Sequence, residues 1–91
     1  MIYFLIHTRG NSNDFDRWSE AGNYGWSYQD VLPYFLKSEK ANLGQLNDSP
    51  YHNKKGPLSV TFNTMKTPLA DAFVKASKMM GMKEVDYNGD K

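Results

Sequence analysis

Gly25-Trp26-Ser27-Tyr28-Gln29-Asp30-Val31-Leu32-Pro33-Tyr34-Phe35-Leu36-Lys37-Ser38-Glu39 is the stretch on which the reading of this chain turns. Ser27 stands three residues before Asp30, the spacing of a capping box that satisfies the first free N–H groups of a helix. The Asp30 carboxylate also sits well against the positive end of the helix dipole. Val31, Leu32, Phe35 and Leu36 recur at helical offsets and give one apolar face. Pro33 falls near the helix start, where a missing N–H costs least. The pattern predicts a short first turn, a bend at Pro33 and a firmer helix to about Glu39. On that face Phe35 is expected to be buried, with Lys37 in water. Trp26 and Tyr34 add more apolar area than so short a segment covers, so it is expected to pack against further protein.

Upstream, Asn11 or Ser12 caps a second predicted helix of about ten residues, with Asp14 and Asp16 in its first turns. Phe15, Trp18 and Ser19 share its inner side, while Asp16, Arg17 and Glu20 face water. Gly22 ends it as a left-handed C′ residue, and a short connection folds the two helices into a hairpin. Residues 1–7 are rich in β-branched and aromatic types and read as a buried strand. Arg9-Gly10-Asn11 reads as a turn.

Downstream, residues 40–55 lose periodicity and fill with turn formers, so a loop is expected. Leu58 to Phe62 alternates as a half-buried strand. Thr67 and Pro68 start a last helix whose apolar face carries Leu69, Ala72, Phe73, Ala76, Met79 and Met80, with Gly81 at its end. Asp86-Tyr87-Asn88-Gly89 reads as a turn. The local patterns give an α+β, mainly helical chain.

Ninety-one residues make one small domain at most. The 40% apolar and 14% aromatic content supports a packed core and argues against disorder. A formal net charge of +1, with the basic residues dispersed, gives no electrostatic case for nucleic acid or a membrane surface. No apolar run approaches the roughly 18 residues of a membrane span. The opening run lacks a basic leader and a cleavage site, so it does not read as a signal peptide. Cysteine is absent, which removes disulfides and thiolate metal sites but leaves the compartment open.

No catalytic constellation is visible in the residues alone. His7 and His52 have no third ligand at helical or hairpin spacing, so no metal site is expected. No nucleophile elbow frames the serines, and no glycine-rich phosphate loop is present. Met79, Met80 and Met82 could form a soft interaction surface, but packing is the plainer reading. The same holds for the aromatics, since no basic groove lies between them. Asn47-Asp48-Ser49 has the glycosylation spacing, weakened by Pro50.

Gly25 to Glu39 closely resembles a segment of the glucose–methanol–choline (GMC) family of flavin-dependent oxidoreductases, especially insect glucose dehydrogenase-like members. Four further blocks resemble the family in the same order. They are Met1-Ile2-Tyr3 with Thr8-Arg9-Gly10-Asn11, then Asp14-Phe15-Asp16-Arg17-Trp18, then Tyr51-His52 with Gly56-Pro57-Leu58-Ser59-Val60, and last Thr67-Pro68-Leu69-Ala70-Asp71-Ala72-Phe73 followed by Asp86-Tyr87-Asn88-Gly89. The chain departs from the pattern in two places. Residues Phe4 to Thr8 carry an insertion of four residues, and Asn53 and Lys55 stand where the family commonly has glycine.

The resemblance implies part of a two-domain, FAD-binding, Rossmann-like fold, between the dinucleotide-binding motif and the substrate domain. Residues 1–91 would be a fragment of the FAD-binding region or the product of an incomplete gene model. Residues 1–11 would form a flavin-side strand and lid segment, 12–40 the helical hairpin, and 41–91 a loop, strand and helix leading to the substrate domain. Met1 and Ile2 are similar to the family stretch whose backbone lies along the flavin, and Arg9 and Gly10 to the turn beside it. These four residues are the cofactor-side candidates implied by the resemblance. The pyrophosphate loop would lie before Met1 and the acid–base histidine pair beyond Lys91, leaving no catalytic residue here.

The implied function is that of a fragment of a FAD-dependent enzyme oxidising the CH–OH group of an alcohol or sugar, inactive by itself. Its partners would be that small-molecule substrate in the full-length protein and the missing parts of its own chain. Substrate and electron acceptor are not legible, and secretion of the full-length protein is one option among compartments. A second reading is a free-standing interaction module without cofactor. A glycine-rich motif upstream of Met1 in the reading frame separates the two.

Overall fold

The computed structural model describes residues 5–65 and 67–90. Three helices and one small sheet follow in the order α1 (Ser12–Glu20), α2 (Tyr28–Ser38), β1 (Glu39–Asn42), a 3-10 turn (Gly44–Asp48), β2 (Leu58–Thr61) and α3 (Pro68–Met79).

Helix ends form where the cap chemistry puts them. The Asn11 side chain accepts from the Asn13 N–H at 2.9 Å, opening α1. Gly22 closes it at φ 97°, with Asn23 N–H bonded back to the Trp18 carbonyl and Gly22 N–H to Ser19, a Schellman arrangement. Both halves of the Ser27–Asp30 capping box are present on α2. The helix runs as one element through Pro33. On α3, the Thr67 hydroxyl accepts from Ala70 N–H, Pro68 occupies the first turn, and Gly81 repeats the Schellman close at φ 86°.

Helices α1 and α2 meet through aromatic rings. Phe15 lies edge-on to Trp18 at 5.4 Å and to Phe35 at 5.6 Å, and Trp18 lies edge-on to Trp26 at 5.9 Å. Phe35 is half-buried in this contact rather than fully enclosed, and Lys37 is exposed. Asp16 does not stay in water: its carboxylate accepts from the Tyr28 N–H at 2.9 Å, tying α1 to the first turn of α2.

Two expectations for the loops are corrected. Residues 40–55 do not form an unbroken loop, because α2 passes directly into β1, which pairs in parallel with β2 in the register Glu39↔Leu58 to Asn42↔Thr61. Turn-rich composition concealed a strand of only four residues. Leu5, Ile6 and His7 form no strand, and Leu5 and Ile6 are exposed; residues 1–4 lie outside the described residues. β2 is also more open than its alternation suggests, with Val60 half-buried and Leu58 and Phe62 exposed.

The segment 53–56 holds the junction between α2 and β1. The Asn53 side chain donates to the Leu36 carbonyl at 2.7 Å, and its own carbonyl accepts from Ala41 N–H at 2.7 Å. Gly56 N–H bonds the Glu39 carbonyl at 2.8 Å. A Cβ on Gly56 would stand 2.4 Å from the Ser38 carbonyl group, which is backbone and cannot swing aside. Neither Asn53 nor Lys55 adopts a positive φ, so the two departures from glycine cost no backbone strain.

The apolar core is small: Ala41 and Leu43 are the buried hydrophobic residues among those described. The largest fully buried side chain is instead a carboxylate, Glu39. The face of α3 that was expected to be apolar is uncovered, Leu69 being 77% and Phe73 73% exposed.

The close approach at Gly56 yields a test. Gly56→Ala should destabilise by about 1–3 kcal/mol, the usual range for forcing a methyl into a packed site. The exposed neighbour variant Lys55→Ala should stay within about 0.5 kcal/mol of the parent. Urea unfolding midpoints measure both, and equal midpoints would show that the junction is not closely packed.

Candidate functional site

Four ionisable side chains from four separated parts of the chain meet around Glu39. Arg9 forms an ion pair with Glu39 through Nη2 and Oε2, both side chains being almost wholly buried. The other Glu39 oxygen, Oε1, lies 2.7 Å from His52 Nδ1. His52 Nε2 lies 2.7 Å from Asp86 Oδ2. A carboxylate oxygen stands at each ring nitrogen of His52, so the ring is held from both sides. The Arg9 cation beside the Glu39 carboxylate is the pairing that burial of charge demands.

Asn88 closes the arrangement into a ring. Its Oδ1 accepts from the Arg9 backbone N–H at 2.9 Å, and its Nδ2 donates to the His7 carbonyl at 3.0 Å. Its own N–H donates to Asp86 Oδ1 at 3.0 Å. Arg9 Nη1 also donates to the Tyr51 carbonyl, and the guanidinium lies over the Phe35 ring at 5.7 Å. Arg9 therefore spends its charge inside the protein, bracing the turn against α2 and β1.

Sequence position explains why each member is in place. Glu39 is delivered by the end of α2, whose direct passage into β1 turns its side chain inward together with Ala41. Asp86 is held in a tight turn in which Gly89 N–H bonds the Asp86 carbonyl at 3.1 Å. A Cβ on Gly89 would stand 3.0 Å from Asp86 Oδ2. Gly10, at φ 93°, supplies the left-handed step that turns the chain from Arg9 into α1.

Burial acts differently on the titrating groups. Burial would raise the Asp86 carboxyl, but the His52 hydrogen bond, the Asn88 N–H and the charges of His52 and Arg9 hold it below its ordinary value. His7 is lowered from its ordinary 6.5, first by burial and then by the charges of Arg9 and His52. His7 Nε2 and Arg9 Nε are buried without a hydrogen-bond partner. Burial also lowers Arg9, against the opposing influence of Tyr28 and Asp86.

A pocket of about 260 Å³ opens beside the ring. Thr8, Arg9, Gly10 and Asn11 line it on one stretch of chain, with Tyr28, Tyr87 and Asn88 among the residues that complete it. Of the cofactor-side candidates, Arg9 and Gly10 lie at this wall, while Met1 and Ile2 lie outside the described residues. Among the described residues no three His, Cys, Asp or Glu side chains are placed to hold a metal ion. No helix among them is long and apolar enough to cross a membrane.

Glu39, His52, Asp86 and Asn88 were not singled out together by the sequence. Apart from Asp86 and Asn88, two positions apart, their contacts span 13 to 81 positions, and no local periodicity reports on such distances.

Comparison with known proteins bears directly on these blocks. Residues 1–91 match the family model described as GMC oxidoreductase. The oxygen-dependent choline dehydrogenase of Sinorhizobium medicae (strain WSM419) is 42% identical over 88 residues, covering 96% of this chain and 16% of that protein. The oxygen-dependent choline dehydrogenase of Brucella anthropi is 40% identical over the same length and shares. Among solved structures, a FAD-dependent oxidoreductase from Chaetomium thermophilum superposes with a TM-score of 0.76 at 28% identity, over 89% of this chain and 15% of that one. The chain thus spans about one-sixth of the length of these relatives.

Removing one member of the ring should be costly. Glu39→Gln leaves Arg9 and His52 without their shared carboxylate, and breaking a buried pair in this way typically costs about 3–5 kcal/mol. Asp48→Asn, at the exposed Asp48–Lys54 pair, should leave the urea midpoint unchanged. A Glu39→Gln midpoint equal to that of Asp48→Asn would show that the ring carries no structural weight.

The pH dependence follows from the same geometry. The folded state resists protonation of His7 more than the unfolded chain does, so its stabilisation is complete above pH 6.5 and is lost as pH falls through the lowered folded value. Asp86 behaves likewise one step lower: its contribution is present above about 3.8 and is lost as pH falls below that. Thermal midpoints between pH 7.5 and 5 should fall more steeply in the parent than in His7→Gln. Parallel profiles would remove His7 from the account.

Proposed function

The chain belongs to the GMC oxidoreductase family, and from that premise we propose that it is a segment of a FAD-dependent enzyme that oxidises the CH–OH group of a small alcohol or sugar. Its place is between the dinucleotide-binding motif and the substrate domain. The observation that carries the reading is the family match over residues 1–91, joined to a buried ring that draws one member from each of four resembling blocks. Choline dehydrogenases among the relatives favour an alcohol donor.

The residues fit one end of the cofactor. A pocket of mixed polarity, lined by Thr8 and Gly10 together with Tyr28 and Tyr87, suits the edge of a flat heteroaromatic ring. The diphosphate end finds no counterpart, because Arg9 is committed to Glu39 and the sequence holds no glycine-rich loop before a helix. We assign Met1, Ile2, Arg9 and Gly10 to the flavin side, Arg9 and Gly10 through backbone rather than the guanidinium. FAD, when bound, supplies the hydride acceptor, and this segment supplies position and shelter from water. The acid–base residues belong to other parts of the protein.

The test has two arms. The 91-residue chain titrated with FAD should give no saturable fluorescence quenching at micromolar ligand, for want of the phosphate cradle. The longer protein carrying this segment should purify with a visible flavin spectrum that bleaches on anaerobic addition of its alcohol donor, choline being the first to try. A folded longer protein devoid of flavin would sink the reading.

A further inference from the structure

We propose that Asn88 is a positioning residue for the flavin side of the protein, its carboxamide fixing the His7–Gly10 turn from the far end of the chain. The inference rests on the flavin reading above. Its own ground is the way Asn88 grips two peptides at once. The Oδ1 atom accepts from the Arg9 N–H at 2.9 Å while Nδ2 donates to the His7 carbonyl at 3.0 Å. A carbonyl at one residue and an N–H two residues on are the pair that a neighbouring β-strand presents to an extended strand. No strand lies there among the described residues, and one side chain does the work of one.

Only a carboxamide places a donor and an acceptor side by side for this purpose. The residue between the two gripped peptides is Thr8, which is exposed and lies at the pocket wall with Gly10. Pinning His7 and Arg9 therefore sets where Thr8 and Gly10 stand. Asn88 in turn is held rigidly, because Asp86 accepts its N–H and is fixed by His52 and through it by Glu39. The path runs from β1 through His52 and the Asp86 turn to the Thr8 wall, every link on it being buried except Asp86, which is half-buried. Preorganised support of this kind is what keeps a binding wall within the tolerance a ligand needs.

Asn88→Asp is the sharp variant, since it keeps the shape and the acceptor toward Arg9 but turns an oxygen toward the His7 carbonyl. It is made in the longer protein, with FAD as the probe. FAD release after dilution should quicken by about tenfold, the size of effect that losing one hydrogen bond of the support carries. The visible flavin bands should shift, a readout that a loss of stability alone does not move. Lys54→Ala, which breaks only an exposed pair, should leave release rate and spectrum unchanged.

Should Asn88→Asp fail to fold, Thr8→Trp carries the test, because it leaves every contact of the ring intact and fills the pocket wall. Thr8→Trp should lower flavin content and shift the bands of what remains. Parent-like spectrum and release rate in Asn88→Asp, or in Thr8→Trp, would overturn the positioning role while leaving the flavin reading intact. A parent protein without flavin would overturn both.

Discussion

The buried contact between Arg9 and Glu39 is the constraint around which the other described residues arrange themselves. A carboxylate with no exposed surface cannot remain ionised without opposing charge close by, so Glu39 requires Arg9 on one oxygen and His52 on the other. His52 then needs a second carboxylate, which Asp86 provides, and Asp86 carries Asn88 back to Arg9. Each contact creates the demand that the next one meets. The net result is a ring binding the start, middle and end of the described chain.

Such a ring is a weak source of stability and a strong source of geometry. Desolvating the buried ion pair offsets much of its mutual attraction, so replacement by apolar residues of similar volume can be neutral or better. What the apolar alternative lacks is direction. Hydrogen bonds near 2.7 Å at both ring nitrogens of His52 fix distance and angle, where a leucine cluster would tolerate sliding. The Gly10 turn and the Asp86–Gly89 turn are held in register by these bonds, not by the small apolar core of Ala41 and Leu43.

Local chemistry was legible in the sequence and long-range chemistry was not. Ser27 with Asp30, Asn11, Thr67 with Pro68, Gly22 and Gly81 all announced helix ends, because caps act over three or four residues. β1 was missed since four residues among turn formers carry no period, and its existence depends on Gly56 and Asn53 docking from elsewhere. Asp16 was placed in water because its partner, the Tyr28 N–H, belongs to the next helix. The pattern put Phe35 on the right face, yet its burial depends on what covers α2 beyond Phe15. The resemblance named Arg9 and Gly10, but not the Glu39 carboxylate that determines what Arg9 can do.

That last point bears on how a motif arginine is read. An exposed arginine in a turn next to a ligand pocket invites assignment to an anionic ligand. Here Nη2 faces Glu39, Nη1 faces the Tyr51 carbonyl, and the flat of the guanidinium covers Phe35. Redirecting the side chain to a diphosphate would take the cation from a fully buried carboxylate, a cost of several kcal/mol that a single new ion pair does not recover. The turn is therefore better suited to meet a ligand through its peptide groups. Glycine at position 10 supplies the left-handed backbone that such a turn requires, the side of its missing Cβ being taken by the Phe15 ring.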